Sequence, residues 1–167
     1  MADFHRFIQG LREGDIDCLI GALRHPPPAE DIVQERLFSD PLAIVSGPNH
    51  PLVGRTSVSL AETLAYPWVA PPKATPAGRY LFETLKIQDL PHTPVRAVSS
   101  SLVFLRGLLQ EGPFLTIISR HQIREEEKQG LMVALPVPLL DSHRDIGLTM
   151  RRDWHPTAMQ ARFIDCL

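Results

Sequence analysis

Residues 91–119 read PHTPVRAVSSSLVFLRGLLQEGPFLTIIS. Val95 to Val98 make a short apolar strand, Leu102 to Glu111 carry a helical pattern, and beyond the Gly112–Pro113 turn Phe114 to Ile118 make another strand. Strand, helix and strand in succession argue for an α/β architecture with parallel crossovers. Three serines, Ser99, Ser100 and Ser101, stand where the first strand gives way to the helix. Ser99 or Ser100 is expected to cap that helix, because a hydroxyl there accepts an otherwise unpaired backbone N–H. Three hydroxyls exceed what one cap needs, so one or two are left for a partner.

The same alternation extends on both sides. Upstream, Phe4, Phe7, Ile8 and Leu11 fall at helical spacing, with Asp3 as an expected cap and Gly14 at a left-handed stop. Ile16 to Ala22 is nearly all apolar and reads as a strand covered on both faces. Leu42 to Ser46 is a second strand, ended by Gly47, Pro48 and Asn49. Ser59 with Glu62 forms a capping box for a short helix that stops before Pro67. Trp68 to Ala70 is a brief strand, and Thr75 caps a helix that has Pro76 in its first position and Ala77, Tyr80, Leu81 and Leu85 facing inward. Downstream, Ser119 with Gln122 opens a mostly polar helix that ends at Gly130. Strands follow at Leu131 to Leu135 and Ile146 to Met150, and Pro156 starts a last helix with Met159, Phe163, Cys166 and Leu167 on one side.

The 167 residues, 44% hydrophobic and 22% charged, suffice for one domain or two small lobes. A formal net charge of -2 gives no basic face for a nucleic-acid backbone. Cys18 and Cys166 lack CxxC spacing and read as two buried cytosolic thiols. The N-terminal pattern is broken by charges, unlike a signal peptide, and no run approaches a membrane span, so a soluble cytoplasmic chain is expected.

Candidate chemistry is sparse. The seven histidines are dispersed, with no HExxH, and imply no metal site. There is no GxSxG elbow around any serine and neither a GxxxxGK[ST] nor a GxGxxG loop; no cofactor is expected. Glu125, Glu126 and Glu127 read as a solvated helix face. Helix openings remain, because their unpaired N–H groups and partial positive charge receive polar or anionic ligands. Three of them follow a strand: Pro72 to Thr75, Ser99 to Ser101, and Ser119. In an open α/β sheet the loops beyond the carboxyl ends of strands are where ligands bind.

Four blocks in order resemble the effector-binding domain of LysR-type transcriptional regulators: LREGDIDCLIGAL (11–23), the strand plus HPL at 42–52, SLAETLAYPWV (59–69) and LLQEGPFLTIIS (108–119). The first and second together are also similar to the branch that includes the galactose-binding-protein regulator. The resemblance covers nearly the whole chain. It implies a two-lobed, type-2 periplasmic-binding-protein-like fold in which each lobe is a mostly parallel sheet flanked by helices. Lobe I would take residues 1–63 and 143–167, and lobe II residues 64–142. The family's effector contacts carry over to Pro72, Lys73, Ala74 and Thr75, to Ser99, Ser100 and Ser101, to Pro113 and Phe114, and to Arg24 beside Leu23. Lys73 and Arg24 could pair an anionic effector, the plain alternative being exposed loop charges.

The family's winged helix-turn-helix and the opening strand-helix-strand of lobe I have no counterpart here. The resemblance therefore implies contact with DNA only through a missing N-terminal domain, an incomplete first lobe, and self-association as a homodimer or higher homo-oligomer through exposed edges. The expected function is sensing of a small effector (a sugar, a sugar acid or an aromatic carboxylate), with no enzymatic activity and no membrane partner. The alternatives are a truncated oligomerisation module without a ligand, and a solute-binding protein or enzyme on the same fold.

Overall fold

The structure, a computed structural model, describes residues 2–167, with side chains from Phe4 onward. In chain order, helix α1 (Ala2–Glu13) precedes strands β1 (Cys18–Ala22) and β2 (Ile32–Ser46), helix α2 (Leu60–Thr63), strand β3 (Trp68–Ala70) and helix α3 (Pro76–Arg79). A wide helical turn, Tyr80–Thr84, continues α3. Strand β4 (Val95–Val98), helix α4 (Leu102–Glu111) and strand β5 (Leu115–Ser119) come next, then a tight turn at His121–Ile123 and helix α5 (Arg124–Lys128). Strands β6 (Val133–Ala134) and β7 (His143–Arg151) and helix α6 (Ala158–Ile164) complete the chain.

Two compact units result, Met1–Ser39 with Arg144–Leu167, and Asp40–His143. The units divide between Ser39 and Asp40 and between His143 and Arg144. At the first division the reason is β2, whose residues Leu42–Ser46 pair antiparallel with Ser119–Leu115 of β5, so the chain enters the second unit at Asp40. β2 also begins ten residues before the expected Leu42. The segment VQERLFSDP alternates charges with apolar residues and holds Pro41, which masks its extended character.

In the second unit the order is β2-β5-β3-β4, with β6 on the free side of β2. β3 lies parallel to β4 and to β5, as the crossovers through α3 and α4 require, while β2 runs antiparallel to β5 and β6. Both faces are covered. Leu42, Ile44, Leu115 and Ile117 join Trp68, Leu81 and Phe82 in the larger core, and Val45 packs with Leu109, Ile123 and Met132 on the opposite face, as the two-residue period of a strand dictates. Helix α4 comes so near β2 that a Cβ on Gly47 would lie 1.9 Å from the Leu109 carbonyl oxygen.

The first unit has a smaller core of Ile8, Leu11 and Ile32, ringed by Phe4, Ile16 and Ala29. β1 pairs antiparallel with β7, which lies beside β2. Gly14 takes the expected left-handed conformation after α1, with φ +82; α1 already includes Ala2, and the side chain of Asp3 lies outside the described residues. Two sequence expectations are corrected. β1, expected to be covered on both faces, is a sheet edge with Ile20 44% exposed, and the two thiols are not buried, Cys18 being half-buried and Cys166 exposed. Phe7 of α1 is exposed as well, and the shared apolar side of α6 (Met159, Phe163, Cys166, Leu167) faces outward. Periodicity shows which residues share a side; it does not show that another element covers that side.

Smaller differences follow the same logic. The strand at Leu131–Leu135 shortens to Val133–Ala134, and the helix after Ser119 breaks into a tight turn and the five residues of α5, because Ile123 is its only buried side chain. The last helix starts at Ala158, capped by Thr157 in a full capping box. Among the described residues no helix is long and apolar enough to cross a membrane.

Candidate functional site

In the second unit, parallel strands β3 and β4 bring the ends of both to one edge. The loop after β3 turns sharply because the Pro72 carbonyl accepts both the Thr75 backbone N–H (2.9 Å) and its hydroxyl (2.7 Å). Thr75 in turn caps α3 by accepting the Gly78 N–H at 3.0 Å. Lys73 and Ala74 are exposed at the tip, and the Lys73 ammonium sits 5.0 Å from the centre of the Phe82 ring, a cation–π contact that steadies the long side chain. Beside it, the Ser99 N–H donates to the Ala70 carbonyl at 3.0 Å, tying the serine loop to the end of β3.

The serines divide their roles differently from the expectation. Ser101 is the cap of α4, its hydroxyl accepting the Phe104 N–H at 3.4 Å. Ser99 braces the loop by accepting the Ser101 N–H at 3.1 Å. Ser100 is exposed. A run of three hydroxyls is degenerate as a cap signal, and the first helical residue decides among them; here that residue is Leu102.

β5 is parallel to β3, so its own carboxyl end, at Ser119, lies at the same edge. Its hydroxyl donates to Oδ1 of Asp40 at 2.8 Å and accepts the Gln122 N–H at 3.3 Å. Nδ1 of His121 lies 3.1 Å from the same carboxylate oxygen. Asp40 is only 2% exposed, and its burial is offset by these charge-assisted partners. His121 is exposed in a tight turn, and nothing in the sequence points from it to Asp40, because 81 positions separate them and no local spacing links them. Serine and histidine meet the carboxylate on one oxygen, so Asp40 does not relay a proton through His121 to Ser119 as a catalytic triad requires.

Pro113 and Phe114 lie at the opposite end. They precede β5, whose first residue Leu115 pairs with Trp68 at the start of β3. The fold therefore does not bring them together with Pro72–Thr75 and Ser99–Ser101. Their neighbour is His50, which is 5% exposed and accepts the Leu52 N–H through Nδ1 at 3.1 Å. Burial pushes the His50 imidazole down, an effect partly offset by the Pro113 backbone. A histidine whose folded pKa is below its unfolded value of about 6.5 costs nothing where both states are neutral; as pH falls through that value the unfolded chain binds the proton first, and stability is lost. Urea midpoints measured from pH 8 down to pH 5 should therefore fall on the acid side, and His50→Gln should flatten that limb.

Arg24 belongs to the first unit. Its guanidinium carbon lies 3.9 Å from the centre of the Phe4 ring of α1, and its backbone N–H meets Gln34.

The full 167-residue chain matches the family model described as the LysR substrate binding domain, over residues 1–167. It is 33% identical over 141 residues to the HTH-type transcriptional regulator GalR of Pseudomonas putida, a match that takes in 84% of this chain and 35% of that protein. The other curated regulators that it matches are about twice its length. Among solved structures, the regulatory domain of CcmR from Synechocystis, in complex with 2-PG, superposes with a TM-score of 0.76 at 14% identity, covering 96% of this chain and 76% of that one. The effector-binding domain of QuiR in complex with shikimate gives 0.70 at 19% identity, covering 96% and 74%. These two likenesses are of fold.

Proposed function

Because the chain belongs to the LysR substrate-binding domain family, whose full-length relatives are transcriptional regulators, we propose that it senses a small-molecule effector through the strand-end loops of its second unit. The observation that carries this reading is the convergence of Pro72–Thr75 and Ser99–Ser101 at one edge, where the carboxyl ends of parallel strands meet. Exposed hydroxyls, loop N–H groups and the Lys73 ammonium suit a polar or anionic effector such as a sugar acid or an aromatic carboxylate. The two compact units stand for the two lobes. Arg24, Pro113 and Phe114, implied as contacts by the resemblance, have weaker support, the first because its guanidinium is engaged with Phe4 and the others because they lie at the opposite strand ends. In the proposed mechanism the effector shifts a cytoplasmic regulator dimer between conformations, and DNA is met through a separate domain.

A thermal-shift panel of sugars, sugar acids and aromatic carboxylates, with shikimate and 2-PG included, tests this. An effector should raise the melting temperature of the parent. Ser100→Ala should weaken its binding with no change in the ligand-free melt, since Ser100 holds up no helix. Ser101→Ala should cost about 1 kcal/mol of stability through the lost cap. Binding by Ser100→Ala equal to the parent's would remove the serine loop from the site.

A second reading, a module that only oligomerises, draws on Val98, Val103 and Phe104, which are exposed on β4 and the first turn of α4. Sedimentation separates the two: a stable dimer that no compound in the panel stabilises would favour oligomerisation alone.

A further inference from the structure

We propose that the outer edge of β1 is a docking surface for a second copy of this chain, whose own β1 adds to it antiparallel about a two-fold axis at Ile20. The inference is independent of the effector reading. It uses neither the strand-end loops nor the exposed Val98, Val103 and Phe104.

The direction of the backbone groups of β1 carries it. Just past the strand the register with β7 continues, and the Leu23 N–H donates to the Asp145 carbonyl at 2.8 Å. Directly opposed residues of an antiparallel pair are alternately bonded and not bonded to each other, so Leu19 and Gly21 also turn their N–H and C=O groups toward β7. Cys18, Ile20 and Ala22 turn theirs the other way. No strand lies on that side among the described residues, and such a row of aligned donors and acceptors is a template for another strand. Nothing within the edge blunts it: the strand CLIGA holds no charge and no proline, and Ile20 at its centre is 44% exposed.

The flanks point to the occupant. Asp15 and Asp17 precede the strand, and Arg24 and His25 follow it. A parallel copy would set acid beside acid and base beside base. An antiparallel copy sets each acidic end beside the other's basic end, the arrangement that opposed charges favour across a strand pair. With the axis at Ile20, Ile20 meets its counterpart and Cys18 meets the second copy's Ala22. Every outward-turned residue then faces another outward-turned one, and each pair exchanges both of its backbone hydrogen bonds. A strand of five residues covers far less than a standard interface, so micromolar or weaker affinity follows.

Sedimentation equilibrium of the full chain from about 10 μM to about 1 mM, where a weak interface shows itself, should reveal a monomer passing into a dimer. Backbone amide exchange locates the contact. Cys18, Ile20 and Ala22 should exchange several-fold more slowly in the concentrated solution than in the dilute one, with Leu19 and Gly21 the same in both. Ile20→Lys brings two ammonium groups together at the axis and should leave the chain monomeric. Ala22→Pro removes an outward N–H and no bond to β7, as an edge position tolerates; it should weaken the dimer about tenfold or more and covers the case in which Ile20→Lys disturbs the fold. The proposal is overturned if the parent stays monomeric to about 1 mM, or if both variants dimerise like the parent. A dimer whose Cys18, Ile20 and Ala22 amides exchange as fast as the monomer's, and which Val103→Asp dissociates, would also overturn it, by placing the contact on β4 and α4.

Discussion

Trp68→Ala is expected to lower the unfolding free energy by about 4 kcal/mol, as truncating a fully buried tryptophan does, a large share of the 5–15 kcal/mol that ordinarily holds a domain together. Trp68 is 0% exposed and sits in the larger core of the second unit with Leu81, Leu115 and Ile117. Its indole N–H donates to the Thr63 carbonyl at 3.0 Å, so truncation leaves a cavity and strands a buried acceptor as well. Trp68→Phe refills most of the volume and should cost clearly less. Urea denaturation followed by circular dichroism checks both, because it does not depend on the tryptophan signal. Equal losses for Ala and Phe would mean that the hydrogen bond to Thr63, and not the packing, is what the indole contributes.

Gly78→Ala should be nearly as damaging, by a steric route. A Cβ at Gly78 would stand 2.0 Å from the Pro72 carbonyl oxygen and 2.6 Å from its carbon, and both are backbone atoms that no rotamer change can move aside. That carbonyl is the acceptor that folds the loop after β3, so relieving the clash breaks both of its hydrogen bonds to Thr75. A cost of about 3 kcal/mol follows from overpacking plus the lost bonds. Because the loop carries Lys73 and Thr75, effector affinity should fall together with the melting temperature, whereas Ser100→Ala separates the two. Isothermal titration of whichever compound stabilises the parent checks this; an unchanged affinity in a destabilised Gly78→Ala would detach the loop from recognition.

What could be read from the sequence was chiefly what is local. The capping box at Ser59 and Glu62 and the Thr75–Pro76 helix start are contacts within a single turn, and both are present. Strands β3 and β4 were legible because apolar runs bounded by prolines leave few other readings. The strand-end loops were legible for the same reason. Asp40 and His121 were not, since their meeting depends on the antiparallel register of β2 against β5. Pro113 and Phe114 show a related limit: a conspicuous Gly-Pro turn marks a loop, but strand direction decides which end of the sheet that loop occupies.

Strand β2 also sets a rule for length. Each of its halves is pinned to its own partner, the first close against Gly147 of β7 and the second in register with β5. Since strand side chains alternate faces with a strict period of two, one residue gained or lost between Arg36 and Pro41 reverses the parity of one half relative to the other. Neither half can absorb that by sliding, because Leu42 and Ile44 would change places with Ala43 and Val45. The extra residue would have to be thrown out as a bulge, and the natural place is beside Pro41, whose missing N–H already leaves a gap in the ladder. Among related sequences, then, insertions in this strand should come in pairs, or singly at that proline.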